Sequence, residues 1–301
     1  LALQDVINGL FGVSLAYGLA QALPPRLGRW TANQLGGAVG RLKKLSQVRA
    51  ARVNQWVVSG EKLSGKELNG ATQAVFRSTG QNLYDYYHHL HHPETILKLV
   101  AFNPAFEDCI QRSQEGRQSQ LLVIPHCSNF DLVGRAAALK GIRYQVLSYP
   151  EPKSGYQWQN EVRNFMGVEV TPVTNESLRQ AAERLRDGGS VLTGADRPLK
   201  ETKYRPQFFG RASNLPTGYV RLALKEKAPV IIVSGITLPD GRYQAWASEP
   251  VMMKAGDDPA AEILRNTEAV LEVIEDLIRQ APQQWSMFYP VWPEATSETP
   301  S

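Results

Sequence analysis

The chain has 301 residues, 43% of them hydrophobic and 21% charged, which suits a globular protein of one large domain or two small ones. Its two cysteines, Cys109 and Cys127, exclude a disulfide framework and give no metal spacing; they are compatible with a reducing compartment. The net charge of +4 is uneven: residues 1–56 hold Arg26, Arg29, Arg41, Lys43, Lys44, Arg49 and Arg52 against Asp5, a local +6 that leaves −2 on the remainder.

Residues 6–23 carry no charge and sit at the lower length limit for a membrane span. Gly9, Gly12, Gly18, Asn8, Ser14 and Gln21 dilute the stretch, and Pro24-Pro25 stop it. It reads as an amphipathic or packing helix lying on the membrane, in preference to a spanning one. Apolar residues beside a basic cluster suit an anionic membrane surface. The aromatics Phe11, Tyr17, Trp30 and Trp56 lack the spacing of stacking motifs, so nucleic acid is not expected as a partner. A second helix follows Pro25, and residues 66–90 repeat Leu68, Ala71, Val75, Phe76, Leu83 and Tyr87 near one face.

His88, His89, His91 and His92 end that helix. Such spacing can bind zinc, with Asp85 and Glu94 close by, but no further ligand is fixed locally. A solvated helix end before Pro93 is the simpler reading, and no metal is expected. Asn103-Pro104 starts a short helix reaching about residue 113. From residue 120, strand patterns (120–124, 143–148, 168–173, 190–194, 204–209, 229–237, 242–248) alternate with helical ones (129–140, 155–166, 175–187, 214–226, 258–280). Residues 238–242 form a turn between two strands, hence some antiparallel pairing. The expected fold is α/β, a mixed and largely parallel central sheet flanked by helices, preceded by an N-terminal helical, membrane-facing segment. The expected division is 1–56 for that basic segment, 57–293 for the α/β domain and 294–301 for a flexible tail.

The chemistry concentrates where the apolar run 121–124 ends at Pro125. There the chain reads His126-Cys127-Ser128-Asn129-Phe130-Asp131. A carboxylate five positions after a histidine, at the start of a helical pattern, can reach back to the imidazole and fix its tautomer. A histidine so held can deprotonate a hydroxyl that attacks an acyl donor. The plain alternative is a loop histidine bonded to a helix-capping aspartate. Cys127 is a weak nucleophile candidate, because sequence neighbours point in different directions.

Further segments accompany this motif in order. Residues 163–167 read Arg-Asn-Phe-Met-Gly and lead into a strand. Residues 190–198 form a strand ending in Asp196-Arg197-Pro198. Residues 207–218 begin Gln-Phe-Phe-Gly, and residues 282–292 read Pro-Gln-Gln-Trp-Ser-Met-Phe-Tyr-Pro-Val-Trp. From about residue 50 to 293 the set resembles the bacterial glycolipid acyltransferases, which include the late lipid A acyltransferases and the phosphatidylinositol mannoside acyltransferases. The lipid A members end the histidine motif with Glu and follow the later strand with Asp-Gln. Here Asp131 and Asp196-Arg197 stand, and the His-x-x-Asn-[Trp/Phe]-Asp form and the Phe-Phe-Gly segment look closer to the mannoside branch.

The resemblance implies transfer of a fatty acyl group from acyl-CoA or acyl-carrier protein, as donor substrate and without a cofactor, to a sugar hydroxyl of a membrane glycolipid. His126 would be the base and Asp131 its orienting acid. Arg163, Asp196, Arg197 and Asn129 would contact substrate. Arg163 suits a phosphate or a carboxylate; Asp196 suits either the acceptor sugar or a pair with Arg163 or Arg197. Backbone N–H groups would hold the oxyanion. The expected location is the cytoplasmic face of the inner membrane, peripheral or monotopic. Two rivals stand: a glycerol-phosphate or lysophospholipid acyltransferase, whose Phe-Pro-Glu-Gly-Thr-like segment is not found here, and a catalytically silent lipid-binding protein of the same fold.

Overall fold

A computed structural model describes residues 10–116, 118–149 and 154–301. Helix α1 is described over Leu10–Ala22, and residues 6–9 of the uncharged stretch lie outside the described residues. Pro24 breaks the chain, and Pro25 occupies the first turn of α2 (Pro25–Val39), where its missing N–H costs nothing. Helices α3 (Ser46–Val58) and α4 (Gly65–His89) follow. Ser64 and Glu67 form a capping box that fixes where α4 starts.

The expected boundary at residue 56 falls inside α3. That helix is integral to the core: Val48, Ala51, Val53 and Val57 are buried. Asn54 donates to the carbonyls of Met287 and Tyr289 and accepts from the N–H of Val291. The basic cluster is also smaller than its sequence count. Arg29 pairs with Asp85 at 2.7 Å, and Arg52 turns inward to Asn69 and to the carbonyl of Pro300. Residues 294–301, expected as a loose tail, are docked: Ala295 is buried and Glu298 pairs with Arg211 at 2.6 Å.

The remaining elements are α5 (Pro93–Leu99), β1 (Val100–Phe102), α6 (Pro104–Glu115), β2 (Gln120–Ile124), α7 (Phe130–Leu139), β3 (Tyr144–Ser148), α8 (Ser154–Arg163), β4 (Val168–Pro172), α9 (Asn175–Arg186), β5 (Ser190–Gly194), β6 (Gln207–Phe208), β7 (Arg211–Ala212), α10 (Gly218–Glu226), β8 (Val230–Thr237), β9 (Tyr243–Ala247) and α11 (Pro259–Gln280). Among the described residues seven strands make one sheet, in the order β1-β9-β8-β2-β5-β3-β4. The five from β8 to β4 are parallel; β9 runs antiparallel to β8, and β1 parallel to β9. The turn at 238–242 makes the β8–β9 hairpin as read from sequence.

The expected strand at 204–209 is instead a small hairpin, β6–β7, outside the main sheet. Phe209 and Gly210 both adopt positive φ (51° and 72°), which turns the chain back after two residues. The three-residue β1 carries too little periodicity to be seen in the sequence.

Strand side chains alternate between two cores. Leu121, Val123, Val230 and Ile232 face α3, α10, α11 and the C-terminal tryptophans Trp285 and Trp292. Leu122, Ile231 and Val233 face α6, α7 and the end of α4. Burial on both faces explains why the central strands read as continuous apolar runs. Arg135 fastens this second side: it donates to the carbonyls of Leu90 and Val162, each 3.3 Å away, and stacks on Phe165 at 3.4 Å. It thereby ties the ends of α4 and α8 to α7, where cations meet helix carbonyls favourably.

Candidate active site

Parallel pairing of β2 with β5 sets Ile124 opposite Gly194. Each strand then runs two residues further, to His126 and to Asp196, so equal overhangs bring the two side chains together. This is the crevice beyond the carboxyl ends of parallel strands, where open α/β sheets bind ligands. The Asp196 side chain is fully buried, and its Oδ1 lies 2.6 Å from His126 Nδ1. Its Oδ2 accepts from the His126 backbone N–H at 2.7 Å and from the Trp285 indole at 2.8 Å. Burial alone would raise the Asp196 pKa. The His126 charge and these hydrogen bonds outweigh it and hold the carboxyl below its ordinary range.

A carboxylate only accepts, so in the neutral imidazole Nδ1 carries the proton and Nε2 holds the lone pair. Nε2 makes no hydrogen bond among the described residues, and the His126 side chain is 30% exposed. The C-terminal segment closes over the back of the loop: the Ser286 N–H donates to the His126 carbonyl at 2.8 Å, and the Ser128 N–H to the Gln284 carbonyl at 2.7 Å. Gln284 in turn exchanges two bonds with the Thr237 backbone at the end of β8.

Asp131 is not the partner of His126. It lies in the first turn of α7 and grips Arg163 at the end of α8, with Nε to Oδ1 at 2.6 Å and Nη2 to Oδ2 at 3.1 Å. A planar fork meeting a carboxylate edge-on is the preferred geometry of that pair. Arg163 Nη1 also donates to Asn160, so three of its five N–H donors are committed within the protein. Nor does Arg163 pair with Asp196. Phe130 separates the two constellations, its ring centre 5.3 Å from that of His126 and 5.8 Å from the Arg163 guanidinium carbon.

Asn129, expected to face substrate, caps α7. Its Oδ1 accepts from the Leu132 N–H and its amide donates to the Asn82 carbonyl at 2.9 Å. Cys127 is buried, and burial followed by the Asp196 charge pushes its thiol well above the usual range, which is wrong for a nucleophile. The histidines at the end of α4 serve packing: His88 donates to the Ala20 carbonyl at 2.7 Å, and His91 Nε2 lies 2.9 Å from the Tyr17 hydroxyl. Arg197 is held between the rings of Tyr149 and Tyr289. Those tyrosines, and the Trp285 bond to Asp196, escaped the sequence reading, although Trp285 and Tyr289 stand in the segment that carried the resemblance.

A family model described as bacterial lipid A biosynthesis acyltransferase matches residues 7–294. The chain belongs to that acyltransferase family. It is also similar to the phosphatidylinositol mannoside acyltransferase of Mycobacterium tuberculosis (strain ATCC 25618 / H37Rv), at 26% identity over 183 residues, 60% of this chain and 56% of that protein. The corresponding protein of Mycolicibacterium smegmatis (strain ATCC 700084 / mc(2)155) matches at 26% over 189 residues, 62% of this chain and 60% of that one. The aligned part thus covers less than two thirds of these relatives' length. Membership of the family agrees with the resemblance drawn from His126, Asp131, Asp196 and the 282–292 segment.

Proposed function

We propose that the protein transfers a fatty acyl group from a thioester donor, acyl-CoA or acyl-carrier protein, to a sugar hydroxyl of a membrane glycolipid of the phosphatidylinositol mannoside or lipid A kind. The observation that carries this reading is the His126–Asp196 dyad, with Nε2 open at the carboxyl end of the sheet. Nε2 accepts the proton of the acceptor hydroxyl as its oxygen bonds to the thioester carbonyl. Asp196 stabilises the imidazolium that forms. Collapse of the tetrahedral intermediate expels the thiolate, and the imidazolium returns the proton to it. No acyl-enzyme and no cofactor are needed, because a thioester is already activated and alignment of two substrates beside a base suffices. Asp131 and Arg163 shape the wall beyond Phe130 and act through position.

Association with a membrane is the second part of the reading. No described helix is long and apolar enough to cross a membrane. On α2, Leu27, Trp30 and Leu35 recur at helical spacing and point outward, Trp30 with 61% of its surface exposed. Leu15 and Leu19 of α1 and Leu42 extend the patch. Exposed Arg26, Arg41, Lys43 and Lys44 lie in the same stretch, as on helices that bind the surface of anionic membranes. The cytoplasmic face of the inner membrane, where thioester donors are made, is the proposed location.

The test is incubation of the purified protein and radiolabelled acyl-CoA with membrane glycolipids in anionic vesicles. Label should pass to the glycolipid, and His126→Ala should lower the rate by about 10²–10⁴-fold. Retention of the rate in that variant would remove the base.

A further inference from the structure

Of the two arginines that flank the dyad, one is neutralised and the other has no ion pair among the described residues. Arg163 has Asp131. Arg197 forms no ion pair among the described residues, yet its guanidinium packs over two tyrosine rings. Its central carbon lies 4.2 Å from the centre of the Tyr149 ring and 4.4 Å from that of Tyr289. Nη2 donates to the Tyr289 hydroxyl at 3.0 Å. A third ring, Tyr156, stands 5.8 Å from Arg197 and 5.5 Å from Arg163, so the two cations share one aromatic wall.

Ring faces attract a cation but accept none of its in-plane N–H bonds. An arginine has five donors, and the clamp occupies its faces while leaving most of its edge. A guanidinium held flat in this way is prepared for a planar or tetrahedral oxyanion at less entropic cost than a free side chain.

Distance selects the anion. Arg197 directly follows Asp196, which touches His126, so its head lies roughly 10–15 Å from the reacting atoms. The phosphates of an acyl-CoA or a carrier protein are separated from their thioester by a pantetheine arm. That arm is about as long as five extended residues, on the order of 15–18 Å, and overshoots Arg197. A phosphodiester beside the acceptor sugar does not, and its single negative charge matches one guanidinium.

We propose that Arg197, clamped between Tyr149 and Tyr289, binds the phosphodiester of an anionic glycolipid acceptor and so selects acceptors that carry one. The assignment rests on the acyl-transfer reading above for the word acceptor, but its binding chemistry is tested separately. Dihexanoyl phosphatidylinositol and dihexanoylglycerol galactoside, a phosphate-free counterpart, are titrated into the 301-residue chain by calorimetry, with CoA as a third ligand. The wild type should bind the phosphatidylinositol probe about tenfold or more tighter than the neutral one. Arg197→Gln should erase that difference and leave CoA affinity alone. Arg197→Lys should recover only part, lacking the planar fork. Tyr289→Phe keeps the ring and removes the hydroxyl, so it should weaken the phosphatidylinositol probe a few-fold; it carries the test if Arg197→Gln melts early. Equal or absent binding of both probes by the wild type overturns the proposal. So does a loss in the variants that falls on CoA or on both lipids alike. A wild type that discriminates the probes yet transfers no acyl group would instead sink the reaction and spare the phosphate site.

Discussion

Two aspartates lie near His126, and the protein uses them in opposite ways. Asp131 is five residues from the histidine in sequence and reaches away from it, to Arg163 across on α8. Asp196 is seventy residues away and touches both the ring and the backbone N–H of His126. Chain proximity placed Asp131 in the first turn of the helix after the loop, facing a neighbouring helix. Strand pairing placed Asp196 beside His126. A short-range motif therefore marks the neighbourhood of a site without naming which acid completes it.

The sharpest way to break the comparison is to neutralise each acid in turn. Asp196→Asn should lower kcat by about 10³–10⁴-fold, because the amide cannot both hold the Nδ1–H tautomer and stabilise an imidazolium. Asp131→Asn should cost less turnover and more stability, on the order of 2–4 kcal/mol, since it leaves the largely buried Arg163 charge unmatched. Arg163→Ala should cost a similar amount, and the double variant should cost little more than either, which thermal melts can establish. Asp131→Asn with a larger kcat loss than Asp196→Asn would reverse the roles.

His89 offers the case of a buried ionisable group without a matched partner. Burial lowers its pKa, Asp85 raises it only in part, and the result is about 4. A depressed histidine binds its proton later in the folded than in the unfolded chain. Stability should hold above about pH 6.5, fall as pH drops toward 4 and then level, for a loss of up to about 3 kcal/mol. Melting temperatures at pH 7 and 4.5 should differ less in His89→Gln than in the wild type. The smallest effect should come from Trp285→Phe, which takes one of the three hydrogen bonds from Asp196 while keeping a ring in the core. A fall in kcat of a few-fold to about tenfold, with Tm lowered by the lost packing, would fit a net bond of about 1 kcal/mol.

The sheet was largely legible in the sequence because its strands are apolar runs buried on both faces and separated by helical periods, as at 120–124 and 190–194. The hairpin at 238–242 was legible from Pro239, Asp240 and Gly241. What local patterns do not encode is strand order. That β5 lies beside β2 follows from the crossover through β3 and β4, and with it goes the identity of the dyad. Asn129 illustrates a subtler limit, since an asparagine before a helix suits a cap and a ligand contact equally until the Asn82 carbonyl is seen to take its amide. Arg163 was expected to contact substrate through a phosphate or a carboxylate; the anion it holds in the fold is the internal carboxylate of Asp131. The docking of the C-terminal residues was hidden because Arg52 and Arg211, which hold them, count in sequence only as surface charge.

The grip of residues 284–286 on the histidine loop has a consequence for the timing of biosynthesis. Synthesis runs from the N-terminus, so the apolar α1–α2 surface is made first and the clasp on His126 and Asp196 among the last. Until that clasp leaves the ribosome, Asp196 lacks its indole donor and the His126 carbonyl lacks the Ser286 N–H. A chain cut short before residue 282 would carry every described strand of the sheet while lacking the groups that hold His126 and Asp196 in place.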